Sequence, residues 1–437
     1  MPAVFAADSS IAKFLSEHLG ETWGFGLTAL IHAVLIIHFF AVAPLFYIWL
    51  ERKVAGRIQD RLGPTRVGGK FGWLQTLADG IKLIQKEDLC PGAADSFLFR
   101  LSPYLVFVAS FGAFLTLPWS DGWIAQNLDI GVFFMLAVMS LEVIGVVFAG
   151  YSSGSKWALF GGMREAAQVV SYEIPMAICA LVPVIVAGTL NMVDIGRMQS
   201  GWFTNWFVLH DPFCCLAFFV YFTVATASVK RAPFDLAEAE SELVAGFHTE
   251  YSGIRWSYFF MAEYASMFAV SGIATALFLG GWYTGIAPID EGLFASIREV
   301  GGSPAEGVTT LGSYVVNLIG MTIFLVKGSG LVFFQIWIRW TLPRLRIDQV
   351  MTTCLKYLLP ISCFLLVGVS VWPLLLNSCI GRTTLVPGES AALGNKVPRV
   401  APTVSGRKTA AITLTNERGE PIPGILFDPV PMKAERN

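Results

Sequence analysis

Residues 230–256 read KRAPFDLAEAESELVAGFHTEYSGIRW and gather Asp235, Glu238, Glu240, Glu242 and Glu250 within sixteen positions. Only 14% of the 437-residue chain is charged, so the cluster stands out from its surroundings. Asp235, Glu238 and Glu242 fall at i, i+3 and i+7 and share one face of a helix. Like charges stacked there cost free energy unless some are protonated, hydrated or paired. Pro233 ahead of Asp235, with Glu238 three residues on, fits a helix start with a capping box, where first-turn acids suit the helix dipole. Capping accounts for Asp235, Glu238 and at most Glu240; it leaves Glu242 and Glu250 unexplained.

Three more acids, Glu142, Glu173 and Glu263, lie inside long apolar runs. A carboxylate near a bilayer centre costs about 2.5–3.5 kcal/mol on insertion scales, so such residues usually face a bundle interior and mark ion or proton paths. Plain interfacial pairing with Arg164 and Arg255 is the alternative for Glu173 and Glu263. Glu142 lies deeper, and Lys327 is its expected charge partner. Together the acids read as a hydrated path from a loop toward mid-membrane, able to relay protons. A permanent cation site is the competing use, and spacing alone leaves both open.

The elements that must position these residues are membrane helices. The composition is 54% hydrophobic, and charged residues are about half as frequent as in soluble proteins. Apolar runs predict an all-α polytopic protein of about eight spans: 26–50, 98–118, 131–150, 168–190, 212–229, 258–281, 312–336 and 355–377. The loop after the first span alone holds eight Lys and Arg, whereas those after spans 2, 4 and 6 together hold two. The basic loops therefore face the cytoplasm, and both termini face the periplasmic side. Residues 1–24 form an N-terminal segment without signal-peptide character. Residues 25–378 form the transmembrane domain, and 379–437 an exported, largely extended tail that could pair as a hairpin around ERGEP. In residues 71–87, Phe71, Leu74, Leu77, Ile81 and Ile84 share a helical face. Asp79 and Lys82 lie off that face, which makes an amphipathic helix suited to the membrane interface.

Some chemistry is disfavoured. The seven cysteines show no CxxC spacing, His32 and His38 share one span with no partner elsewhere, and neither a P-loop nor a GxGxxG follows a strand. The chain is expected to bind no metal, flavin or haem of its own. A net charge of −2 gives no general attraction for nucleic acid.

The segments ERKVAGRIQDRLGPTRVG, LADGIKLIQKE, AAQVVSYEIP, RAPFDLAEAESELVAGFHTEYSG, FFMAEYA and IWIRWTLPRLRIDQVM, taken together, resemble the quinone-site membrane subunit of respiratory complex I, from residue 25 to about 377. The resemblance implies a translocase subunit of NADH:quinone oxidoreductase in a bacterial inner membrane. Its substrate would be a quinone, ubiquinone foremost. It would dock the hydrophilic arm, wall the quinone entry tunnel and meet adjacent membrane-arm subunits and lipid. The iron–sulfur cluster that reduces the quinone would sit in a neighbouring subunit.

Glu173, Asp235, Glu238, Glu240, Glu242, Glu250 and Glu263, carried over by motif, would form the proton path together with Glu142, which joins them on its place within a span. Glu51, Arg52, Gln59, Arg61, Asp79 and Lys82 would line the quinone side. Asp60, Leu62 and Glu165 depart from the pattern, Glu165 standing where a small residue is usual. The alternative nearest to this reading is the equivalent subunit of a membrane-bound hydrogenase-type complex. An independent transporter should show paired broken helices, which the sequence lacks. A purely structural anchor leaves the intramembrane acids as an unexplained cost.

Overall fold

Helices carry the whole architecture, and no β-strand occurs among the described residues. The computed structural model describes residues 15, 20–298 and 311–380, apart from 122 and 237–242. Glu238, Glu240, Glu242, most of the N-terminal segment and the tail with its expected hairpin lie outside the described residues.

The helices that matter here are α1 (Glu21–Ile58), α2 (Gln75–Gln85), α3 (Ser96–Ala113), α4 (Gly131–Ser152), α5 (Lys156–Ala187), α6 (Met192–Met198), α7 (Pro212–Ser228), α8 (Gly253–Phe278), α9 (Leu311–Thr341), α10 (Ile347–Thr352) and α11 (Leu359–Ile380). A π-helical turn, Thr353–Leu358, joins α10 to α11. Seven of the described helices are long and apolar enough to cross a membrane, and α7, with 17 residues, is a shorter apolar helix at the fifth expected span. Each of the eight expected spans thus has a helix.

Several boundaries differ from the sequence expectation, α1 for one running on to Ile58 past the expected 50. Helix α3 stops at Ala113, not 118, with Phe114 as its cap and Pro118 beyond a short turn. Helix α5 starts at Lys156, twelve residues before the apolar run. Lys156, Arg164 and Glu165 dilute the hydropathy there while the backbone stays helical. Caps match local chemistry: Asp95 accepts from the amides of Phe97 and Leu98, and Asp211 from those of Phe213 and Cys214, with Pro212 at the first helical position of α7.

Helix α8 is buried almost along its whole length and forms the axis around which α1, α3, α7 and α9 pack. Helix α1 lies at the rim and presents Leu30, Val34, Ile37 and Phe46 outward. Lipid tails are as apolar as these side chains, so helix association rests on close contact between small residues. A Cβ on Gly145 of α4 would stand 2.5 Å from Val106 Cγ2 of α3. One on Gly161 of α5 would stand 2.7 Å from Gly246 Cα and the Phe247 amide, which fixes the 3₁₀ turn Gly246–His248 against α5.

Candidate functional site: two buried charge clusters at the basic-loop end

The turn that ends α7 carries the site. Lys230 takes a left-handed backbone conformation (φ 61°), and its amide bonds back to Ala227 O while Arg231 N bonds to Thr226 O. The Gln168 side chain, from α5, donates to Ala227 O (2.7 Å) and Phe234 O (2.8 Å) and so clamps both sides of the turn. The sharp turn sends two consecutive cations into two different clusters.

Lys230 enters the first. Its Nζ lies 2.9 Å from Glu142 Oε1 of α4 and pairs closely with Glu165 of α5. Ser266 Oγ (2.8 Å, α8) and Ser110 Oγ (3.3 Å, α3) donate to Glu142 Oε2, and the two hydroxyls lie 3.0 Å apart. Lys230, Glu142 and Glu165 are all buried, Glu165 completely. The Phe247 ring faces the ammonium at 5.8 Å. Burial works against the charge on Lys230. The attraction of Glu142 and Glu165 outweighs it, so the ammonium is held above its ordinary range. Glu173, farther along α5, lies within electrostatic reach of Glu142 and hydrogen-bonding reach of Ser140.

Arg231 enters the second cluster and is 2% exposed. Its Nη1 donates to Glu51 Oε2 (3.1 Å), its Nε lies 2.8 Å from Glu263 Oε1, and its guanidinium sits 4.2 Å from the Tyr264 ring centre. Glu51 also accepts from Arg339 Nη1 (2.6 Å) of α9 and, in a short contact, from the Tyr264 hydroxyl. Four separate chain segments therefore meet at one carboxylate and one guanidinium. As with Lys230, burial opposes the charge on Arg231 but nearby Glu263, Tyr264 and Glu51 outweigh it and hold it protonated. Nearer the surface, Asp235 accepts from Arg344 Nη2 (2.8 Å), and Leu345 N bonds to Pro233 O (3.0 Å), tying the loop after α7 to the one after α9.

The ERK motif at the end of α1 splits three ways. Glu51 points inward, as above. Arg52 reaches Asp79 of α2 at 2.5 Å, and Lys53 Nζ donates to Pro64 O at 2.6 Å. With Trp49 Nε1 donating to Phe71 O (2.9 Å), these contacts fasten α2 and the Gly63–Pro64 turn to the end of α1. Helix α2 spans Gln75–Gln85, shorter than the expected 71–87, and exposes Leu77, Ile81 and Ile84, with Phe71 and Trp73 just ahead of it. Lys82 is exposed on it, and Arg61 Nε bonds Gln59 Oε1 (2.8 Å) at the surface. Arg52, Gln59, Arg61, Asp79 and Lys82 thus stay at the rim, apart from Glu51. Glu250 is half-buried beside Tyr251. The Tyr251 ring stacks on Phe99 at 4.1 Å, its hydroxyl donates to Phe99 O, and burial lifts the phenol to about 12.

One expected pairing is corrected, and one alternative pairing is not found. Lys327 does not serve Glu142. Its Nζ donates to the carbonyls of Leu279 (2.6 Å), Gly281 (3.2 Å) and Tyr283 (2.7 Å), the unsatisfied acceptors where α8 ends. Those carbonyls lie at the opposite membrane face from residue 230, so depth in the sequence pattern misleads. Arg255 does not pair with Glu263; it binds Asp88 (2.7 Å), and Glu263 belongs to Arg231. Sequence reasoning also misses Lys230, Arg231, Arg339 and Tyr264. The available signal is KR directly ahead of the acidic stretch, two cations where an apolar helix ends.

The chain from residue 31 to 370 matches the family model described as NADH dehydrogenase. Curated relatives with similar sequences are named as subunits of NADH-quinone oxidoreductase. That of Anaeromyxobacter dehalogenans is 42% identical over 356 residues, covering 82% of this chain and 84% of the relative. That of Chlorobium luteolum is 45% identical over 352 residues (80% and 90%), and that of Geobacillus kaustophilus 43% over 338 residues (77% and 90%). With that match, and with eight apolar helices and two buried charge clusters, this chain belongs to the NADH dehydrogenase family.

Proposed function

We propose that this chain is the membrane subunit of a proton-translocating NADH:quinone oxidoreductase that passes the consequence of quinone reduction to proton movement. The observation that carries the reading is the pair of consecutive buried cations, Lys230 and Arg231. One loop holds the carboxylate of Glu142, inside the bundle, and those of Glu51 and Glu263, beside the basic-loop end. A shift of that loop reaches both clusters at once. Two clusters whose cations are consecutive residues of one turn are coupled, so a change of charge at one is felt at the other.

In this reading Glu142, Glu173, Asp235, Glu238, Glu240, Glu242, Glu250 and Glu263 form the proton path. Glu51, Arg52, Gln59, Arg61, Asp79 and Lys82 border the quinone entrance. The outward apolar side chains of α2 suit a lip in contact with lipid and quinone tail. A quinone, ubiquinone foremost, is the substrate, reduced by an iron–sulfur cluster held in a neighbouring subunit. The basic surface of the loops after α1 and α9 suits docking of a hydrophilic arm. The protein then lies in a bacterial inner membrane with its basic loops inward and both termini outward. The domain 25–378 carries the function and the tail is an accessory.

The test is Glu142→Gln in the assembled complex, with inhibitor-sensitive NADH:quinone turnover measured beside NADH oxidation by a soluble artificial acceptor. Loss of quinone turnover with the acceptor activity intact is the expected result. Undiminished quinone turnover would remove the proton-path reading.

A further inference from the structure

Glu165 has no part in the path just described, yet it is completely buried and its carboxylate closes on Lys230. Lys230 thus stands between two carboxylates, Glu142 at 2.9 Å and Glu165 closer still. A lysine with Glu142 as its one acidic partner would be left as an isolated buried charge each time Glu142 took a proton. That cost would hold Glu142 permanently ionised. A second carboxylate removes the obstacle.

We propose that Glu165 is the charge-balancing residue of this site: it keeps Lys230 paired whether Glu142 is ionised or protonated, and so leaves Glu142 free to take up and return a proton. With Glu142 ionised, the ammonium bridges both carboxylates. When a proton adds to Glu142, its carboxyl turns to the Ser110 and Ser266 hydroxyls already in contact with it, and Lys230 rests on Glu165. When the proton leaves, the bridge re-forms. No other bond is made or broken. Glu165 acts through Lys230 and is a positioning residue. The inference rests on the proton-path reading of Glu142.

The groups that face this triad come from every element around it. Helix α3 contributes the Ser110 hydroxyl and α8 that of Ser266, while Glu263 of α8 is engaged by Arg231. Helix α5 contributes Glu173, within electrostatic reach of Glu142, and the 3₁₀ turn packed on α4 and α5 contributes His248 next to Phe247. Lys230 is the cation bound to both Glu142 and Glu165, so removing either of its partners has a direction that can be forecast.

The experiment is the pH profile of inhibitor-sensitive NADH:quinone turnover in the assembled complex, with the soluble-acceptor activity reporting assembly. In Glu165→Gln, Lys230 gives its whole charge to Glu142. The limb of the profile that reports Glu142 then moves to lower pH by about one unit or more, and turnover at neutral pH falls. In Lys230→Gln, two carboxylates face each other without a cation, and the same limb moves to higher pH. The double variant Glu165→Gln/Lys230→Gln brings the limb back toward wild type and recovers turnover relative to either single change. Should Glu165→Gln fail to assemble, the alkaline shift of Lys230→Gln and its reversal in the double variant carry the test. A wild-type profile in Glu165→Gln or in Lys230→Gln, or a double variant no better than the singles, overturns the proposal. If Glu142→Gln abolishes quinone turnover while these profiles stay unmoved, the charge-balance inference alone fails. If Glu142→Gln turns over normally, the proton-path reading fails and takes this one with it.

Discussion

The two ends of the bundle treat buried charge in opposite ways. At the basic-loop end, charges answer charges: Lys230 to Glu142 and Glu165, Arg231 to Glu51 and Glu263, Arg339 to Glu51, Arg344 to Asp235. At the far end, the exposed Arg197 pairs with Asp121 (2.7 Å), but the charges set into the bundle answer backbone. Lys327 holds three carbonyls where α8 stops and faces the Trp206 ring at 4.1 Å. Asp290 accepts from the Thr284 and Gly285 amides and the Thr284 hydroxyl. Gln199 donates to Ile195 O and Ala276 O and accepts from Phe207 N and Gly280 N.

The distinction is chemical. Backbone amides and carbonyls neither gain nor lose protons at accessible pH, so a charge bound to them is fixed by the fold and serves as a rivet. A charge bound to a second titratable group shares a set of microstates with it. Under the proposed function, the far end holds its shape and the basic-loop end changes its protonation.

Variants at the two ends should therefore fail differently. The largest effect is expected from Arg231→Gln. It leaves Glu51 and Glu263 without their common cation in a nearly closed site, and breaking a buried ionic contact of this kind costs about 3–5 kcal/mol. Both quinone and artificial-acceptor activities should fall with the amount of subunit recovered in the purified complex. Recovery at wild-type levels would mean that the cluster is hydrated in the assembled enzyme.

Lys327→Met should come next, at about 1–3 kcal/mol for carbonyls left unsatisfied. Its mark is a lower temperature of thermal inactivation in detergent with an unchanged pH profile of quinone turnover. A shifted profile would break the comparison, because it would make the far end part of the titrating system. Arg344→Gln should be the mildest. Its pairing with Asp235 is about a third exposed on the arginine side, and a pair of that kind contributes at most about 1 kcal/mol. Little change in thermal inactivation is expected, and a large loss would show that the loop-to-loop tie carries more than its local energy.

The helices are legible in the sequence because hydropathy reports burial in lipid directly. All eight spans appear where apolar runs predict them, and α2 carries its apolar stripe in the predicted place. Much of the acidic cluster is legible for a related reason, since a carboxylate in an apolar run has few explanations. Partnerships are not. Apparent depth pairs Glu142 with Lys327, yet it meets Lys230, 88 residues away, because a left-handed turn points that lysine back into the bundle. In the sequence Glu165 is only a departure from the family pattern, and its neighbour Lys230 only a loop charge.

The sequence by itself determined an eight-helix membrane chain, its charge asymmetry, its family resemblance and the residues costly enough to demand a role. Periodicity and composition act within one segment, and each of those features is a property of one segment at a time. The tertiary structure decided which charges share a cluster and which bind backbone carbonyls and amides. Those facts depend on a few ångströms between segments as much as 288 residues apart, as Glu51 and Arg339 are, and only packing sets such distances.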